Sequence, residues 1–208
     1  SYYVGLGYTY NKISNFAYEY NRDLYMKSMN LTGNSIKTND FDFSFGWNYN
    51  SLNRGYFPTK GVKASLGGRV TIPGSDNKYY KLSADLQGFY PLDRDHRWVL
   101  SGKATASYAN GLGGKRVPFY QLYTAGGIGS LRGFAYGAVG PNAIYQDKYG
   151  QWYQSTDVVG GNAMATASVE LIVPTPFVGD KSQNSVRTSL FVDAASVWNT
   201  KWKSDKEG

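Results

Sequence analysis

The 208-residue chain contains no cysteine, which excludes disulfides, thiolate metal sites and a cysteine nucleophile. Its one histidine, His96, rules out any two-histidine metal site and leaves acid–base chemistry poorly supplied. No stretch approaches the ~18 uninterrupted apolar residues of a membrane-spanning helix. Helical periodicity, internal repeats and linker-like segments are missing as well. Excess charge is modest: 22 Lys and Arg against 15 Asp and Glu give +7, which suits nucleic acid, lipid or a polar channel equally. What the chain has in excess is tyrosine (19) and glycine (25), a composition of strands and turns. It opens without an initiator methionine on Ser1-Tyr2-Tyr3-Val4, already strand-like, and is expected to be a piece of a longer protein.

Period-two alternation is the dominant pattern. In 41–49, Phe41, Phe43, Phe45, Trp47 and Tyr49 alternate with Asp42, Ser44, Gly46 and Asn48. In 62–72, Val62, Ala64, Leu66, Gly68, Val70 and Ile72 alternate with Lys63, Ser65, Gly67, Arg69 and Thr71. Similar segments predict strands over about 2–10, 16–25, 41–51, 62–72, 79–91, 97–109, 163–173 and 186–198. At nine to thirteen residues these exceed the usual ~5–6 of soluble strands and match the ~9–11 needed to cross a bilayer. Aromatic residues cluster at strand ends (Tyr80 and Tyr90, Trp98 and Tyr108), as in an interfacial girdle. The opposite face carries Lys63, Arg69, Lys81, Asp85, Lys103, Glu170, Arg187 and Asp193. A dry core would exclude these side chains, whereas a wet lumen accepts them. A large soluble sheet with one solvated face also alternates, but seldom sustains such strand lengths.

The longest connection, 109–162, exceeds what a compact domain leaves structureless and is expected to be functional. An eight-strand barrel fills its own interior with side chains, so a loop of that size points to a larger barrel.

Within this loop stands Gly126-Gly127-Ile128-Gly129-Ser130-Leu131-Arg132-Gly133-Phe134. It resembles the Arg-Gly-Phe/Tyr signature of the outer-membrane β-barrel assembly superfamily. Arg54-Gly55-Tyr56-Phe57-Pro58-Thr59, Thr71-Ile72-Pro73-Gly74-Ser75-Asp76-Asn77, Asn110-Gly111-Leu112-Gly113-Gly114-Lys115, Gly160-Gly161-Asn162-Ala163-Met164-Ala165 and Pro174-Thr175-Pro176-Phe177 are similar to segments of that family, in the same order. The likeness covers Val4 to Trp198. Leu131 departs from the valine often found before the arginine.

The resemblance implies an all-β fold, a transmembrane antiparallel barrel of about sixteen strands. Residues 1–208 would be a partial barrel supplying about eight central strands, roughly the sixth to thirteenth, with 109–162 a loop folding back into the lumen. It further implies a place in the bacterial outer membrane and a part in folding and inserting other barrel proteins without ATP. The implied partners are outer-membrane lipid, unfolded β-barrel substrates, accessory lipoproteins of the assembly complex and POTRA domains of the full-length chain. An alternative is the pore of a two-partner secretion transporter, which shares the loop signature. No catalytic residue, cofactor or metal is expected, and no nucleic acid.

Arg132, Gly133 and Phe134 form the lumen-loop motif. An arginine inside a barrel needs carboxylate partners to offset its desolvation. Glu170 and Asp193 are the acidic residues on the lumen face of the two following strands, and Arg132 is expected to reach one or both. In the family the corresponding residues make such a contact, which holds the loop. The alternative is a solvated loop arginine. Phe134 is expected to pack as an anchor of the loop, and 145–160 to be a featureless polar stretch.

Other signals are weak. Gly111 to Lys115 suggests a phosphate loop, but Ala109 breaks the spacing. Asn30-Leu31-Thr32 fits a glycosylation pattern that has no meaning in a bacterial outer membrane. His96, in Asp93-Arg94-Asp95-His96-Arg97, reads as a solvated hairpin tip. Lysines and aromatics interleave as in single-strand nucleic-acid grooves, but alternation sends them to opposite sheet faces.

Overall fold

The computed structural model describes residues 1–14, 35–115, 117–182 and 185–200. Seven strands form one antiparallel sheet. They are β1 (Tyr2–Ile13), β2 (Ile36–Asn50), β3 (Gly61–Thr71), β4 (Tyr79–Pro91), β5 (Val99–Gly111), β8 (Ala163–Val173) and β9 (Thr188–Trp198). The order is β1-β2-β3-β4-β5-β8-β9, so every neighbour is sequential except β5 and β8. Between those two, β6 (Asn142–Gln146) and β7 (Trp152–Val158) pair as a separate hairpin. The sheet is open, with β1 and β9 at its edges.

Three differences from the sequence reading follow. The strand expected at 16–25 lies outside the described residues; β1 pairs directly with β2 through Ile13 and Ile36, so the described sheet holds seven strands where eight were expected. Strand β2 starts at Ile36, five residues before the expected 41. Its inward residues there, Thr38, Asp40 and Asp42, are buried though polar: Asn77 of the neighbouring connection bonds to Asp40, and Arg69 of β3 pairs with Asp42. Finally, the stretch expected to be featureless contains the β6–β7 hairpin, whose ladder is made by the backbone and leaves no apolar alternation to read.

Burial runs opposite to that of a soluble protein. Leu66, Leu82 and Leu100 are 54%, 45% and 43% exposed, while Asp40 and Asp42 are buried. The register explains it. Leu66 stands between Trp47 and Ala84, and Ser65 between Asn48 and Asp85, so each face is continuous across strands. One face is an apolar belt with rings in contact, Tyr8 with Phe41 at 5.1 Å and Tyr80 with Tyr108 at 5.9 Å. The other carries paired charges, including Arg69 Nε at 3.2 Å from Asp42. Exposed contiguous apolar surface of this extent marks a partner, and hydrocarbon is the one that fits alternating strands of 11–15 residues.

Glycines on the sheet admit rings from adjoining strands. Tyr3 lies where a side chain on Gly46 would project, and Phe45 does the same over Gly68. These rings fill slots that any Cβ would close.

Candidate functional site: a clasped lumen loop

The connections 72–78 and 112–162 leave one end of the sheet, where β1 ends and β2 begins; 51–60, 92–98 and 174–187 leave the other. Loop 112–162 turns back over the polar face. Its stem is a narrow ladder: Tyr123 and Gly161 exchange backbone bonds of 2.8 and 3.0 Å, and Ala125 and Val139 bonds of 2.8 Å each way. Asn162, fully buried, ties the stem to the sheet by donating to the Ala109 carbonyl at 2.8 Å.

Beyond the stem the chain makes a tight turn through Gly126 to Phe134. Gly126 has φ +131°, and a Cβ there would strike the Ala135 carbonyl, so only glycine fits. The Ser130 hydroxyl accepts from Gly126 N–H at 2.8 Å, and the Phe134 carbonyl accepts from Gly127 N–H at 3.0 Å. Gly133, at φ +87°, reverses the chain directly after Arg132.

This turn delivers Arg132 to the wall. Its Nε donates to Asp193 Oδ2 at 2.8 Å and its Nη2 to Asp193 Oδ1 at 2.7 Å, a two-pronged grip. The Arg132 backbone N–H donates to the same Oδ2 at 3.1 Å. Nη1 reaches Glu170 Oε2 at 3.3 Å, and Nη2 also donates to Ser168 Oγ at 3.0 Å. Ser168 in turn donates to Asp193 at 2.5 Å, and Ser189 to Glu170. The guanidinium lies over the Phe191 ring, its Cζ 3.6 Å from the centroid. Four residues of one face, Ser168 and Glu170 on β8 with Phe191 and Asp193 on β9, thus converge on one side chain. Alternation puts them there, and the register sets Ser168 opposite Asp193 and Glu170 opposite Phe191.

The sequence-predicted residues Arg132, Glu170 and Asp193 are therefore brought together. Phe134 is not part of the cluster: its carbonyl closes the turn while its ring stays 54% exposed. Ser168, Ser189 and Phe191 escaped the sequence reading. The available signal was their position two or four residues from the two carboxylates on the same face.

A second attachment lies nearer the loop's root. Asn77, fully buried, donates to Asp40 through its backbone N–H (2.8 Å) and Nδ2 (2.6 Å), and through Nδ2 to the Tyr120 hydroxyl at 3.1 Å. Lys81 donates to Gln121 at 2.9 Å and stands 4.9 Å from the Tyr123 ring centroid. Burial pushes the Tyr123 phenol up to about 12. Truncating Asn77 keeps its backbone N–H on Asp40 Oδ1 but takes the Nδ2 donor from Oδ2 of this buried carboxylate, at a cost of about 1–2 kcal/mol. Asn77→Ala is accordingly expected to lower the temperature at which the full-length barrel loses its compact electrophoretic mobility. Tyr120→Phe should do so less, because it removes only the weaker bonds.

The comparisons with known proteins agree with this geometry. The family model described as "Omp85 superfamily domain" matches residues 1–208. The chain is 35% identical over 175 residues to the outer membrane protein assembly factor BamA of Neisseria meningitidis serogroup B, covering 84% of this chain and 21% of that protein. It is also similar to the crystal structure of BamA from Haemophilus ducreyi lacking POTRA domains 1–3, with a TM-score of 0.92 and 56% identity. That match covers 97% of this chain and 39% of the other. The chain thus spans about a fifth of the curated relative's length.

Proposed function

The chain belongs to the Omp85 superfamily and lies in the outer membrane as barrel wall with a lumen loop, and from that premise we propose that it is the central barrel segment of an outer-membrane β-barrel assembly factor. The observation that carries the reading is the 56% identity to BamA across 97% of the chain, with the clasped loop intact. In the proposed role the full-length protein takes unfolded barrel proteins as substrates, without ATP and without a covalent step. POTRA domains of the same chain and accessory lipoproteins are its proposed partners.

The physical task is specific. An incoming strand brings unpaired N–H and C=O groups that hydrocarbon cannot satisfy. An insertase meets them with a sheet edge as template and with a wall that perturbs the bilayer. This segment supplies wall and clasp: a rigid polar interior, pinned by Arg132, behind an apolar exterior. The two-partner transporter finds less support, since both relatives reported above are assembly factors.

The test uses full-length protein in proteoliposomes with a urea-unfolded barrel substrate, scoring heat-modifiable folded product. Faster appearance of that product than in empty vesicles is expected. No acceleration, together with export of a single soluble partner, would favour the transporter.

A further inference from the structure

Both ladders of β8 stop at Ala163, which pairs with Tyr108 of β5 on one side and with Trp198 of β9 on the other. Asn162 stands in the next position and carries the pairing further in both directions. Toward β5, its carbonyl accepts from Ala109 N–H at 2.8 Å, and its Nδ2 donates to the Ala109 carbonyl at 2.8 Å. Toward β9, Nδ2 donates to Thr200 Oγ1 and Oδ1 accepts from Thr200 N–H, each at 2.8 Å. Both hydrogens of the amide and its oxygen are engaged, in a side chain that is fully buried.

The two glycines before it bring the loop to the same place. Gly161 pairs with Tyr123 of the loop's other arm and lies directly against β9: a Cβ there would stand 2.4 Å from the Trp198 carbonyl oxygen. Gly160, at φ +93°, has the Tyr123 carbonyl oxygen 2.7 Å from where its Cβ would be. The end of β5, both arms of the loop stem and the outgoing end of β9 therefore meet at Gly160-Gly161-Asn162.

The Arg132 clasp touches none of these residues and holds β9 at Asp193, whereas Asn162 holds it at Thr200. We propose that Asn162 is a positioning residue that fixes the outgoing end of β9 to the root of the lumen loop, so that the loop braces this strand at two separate points. Strand ends open at little cost in free energy unless something ties them. The residue type follows from the bonds. An apolar side chain would leave the Thr200 N–H without its acceptor, and aspartate would set a carboxylate against the Ala109 carbonyl. The loop is thereby held at its root as well as at its tip, and loss of one hold leaves the other in place.

The test is hydrogen exchange of the full-length protein in nanodiscs, read amide by amide. In Asn162→Ala, the Thr200 amide is expected to exchange at least tenfold faster, because its acceptor is gone. The Arg132 amide, which donates to Asp193, should keep its wild-type rate. Arg132→Ala should do the reverse, freeing the amide at 132 and leaving Thr200 protected. Gly161→Ala wedges a methyl group between loop and β9 and should free the Thr200 amide as Asn162→Ala does. Thr200→Val removes only the Oγ1 bond and should give a smaller rise at the same amide, which keeps a readout if the other two variants fail to reach the heat-modifiable form. Wild-type exchange at residue 200 in the variants that fold overturns the proposal. Equal acceleration of the amides at 132 and 200 in Asn162→Ala also overturns it, since that means one general loosening. Because exchange is read without any assembly reaction, its failure is distinct from failure of the insertase assignment.

Discussion

Arg132→Ala in the full-length protein is expected to release the lumen loop, impair assembly and leave the barrel less heat-resistant. The side chain holds Asp193 by two prongs, reaches Glu170 and Ser168, and covers Phe191. Asp193 has a side-chain exposure of only 5%, so truncating its partner leaves a buried carboxylate unpaired. Breaking such a pair from one side costs about 3 kcal/mol or more. Arg132→Glu should be worse, since it sets a third carboxylate among two. Reversing the pair, Arg132→Glu with Asp193→Arg, should recover part of the loss. Recovery stays incomplete because Asp193 also accepts from the Arg132 backbone N–H and from Ser168, and because the ring of Phe191 loses its cation. Arg132→Lys should fall in between, keeping charge but not the fork. Complementation of a depleted strain and the melting of the compact electrophoretic form are the readouts. Wild-type behaviour of Arg132→Ala in both would sink the clasp.

The second large effect is a difference between adjacent residues. Leu66→Arg should cost about 2–4 kcal/mol, the range for an arginine on the lipid face near the bilayer midplane. Leu66 lies in mid-strand among Trp47 and Ala84, with Phe45 and Leu82 on the same belt. Ser65→Arg should cost little. Ser65 points to the wet face, where its hydroxyl already donates to Asp85 at 3.3 Å, and a guanidinium there would meet that carboxylate in water. Denaturant titration of full-length protein refolded into bilayers separates the two. Equal losses would overturn the assignment of faces.

Both predictions start from a pattern visible in the chain itself. Strands such as 62–72 and 163–173 were readable because hydrocarbon and water impose opposite demands on alternate residues over a bilayer's thickness. Where that contrast fades, so does the signal. Around Ile36 to Asp40 the inward residues Thr38 and Asp40 are polar, and what buries Asp40 is its bonding with Asn77, a partner nearly forty residues away. The β6–β7 hairpin is a backbone ladder, joined by the Asn142 side chain donating to the Ser155 carbonyl, with no apolar alternation to announce it. The carboxylate partners of Arg132 could be inferred from charge and face, because a buried cation admits few solutions. Phe191 could not: an aromatic ring on a wet face makes sense only once a guanidinium lies on it.

The one non-sequential pairing in the sheet, β5 with β8, bears on how quickly the wall assembles. Hairpins such as β3–β4, joined by 72–78, close over short spans, whereas β5 must wait for a partner beyond 112–162. On chain-entropy grounds that closure costs roughly 2 kcal/mol more than a short turn. The Arg132 clasp makes a different demand: its partners lie on β8 and β9 alone, adjacent strands joined by 174–187. Latching Arg132 onto that two-stranded surface shortens the free span between β5 and its partner, so clasp and β5–β8 junction lower each other's closure entropy.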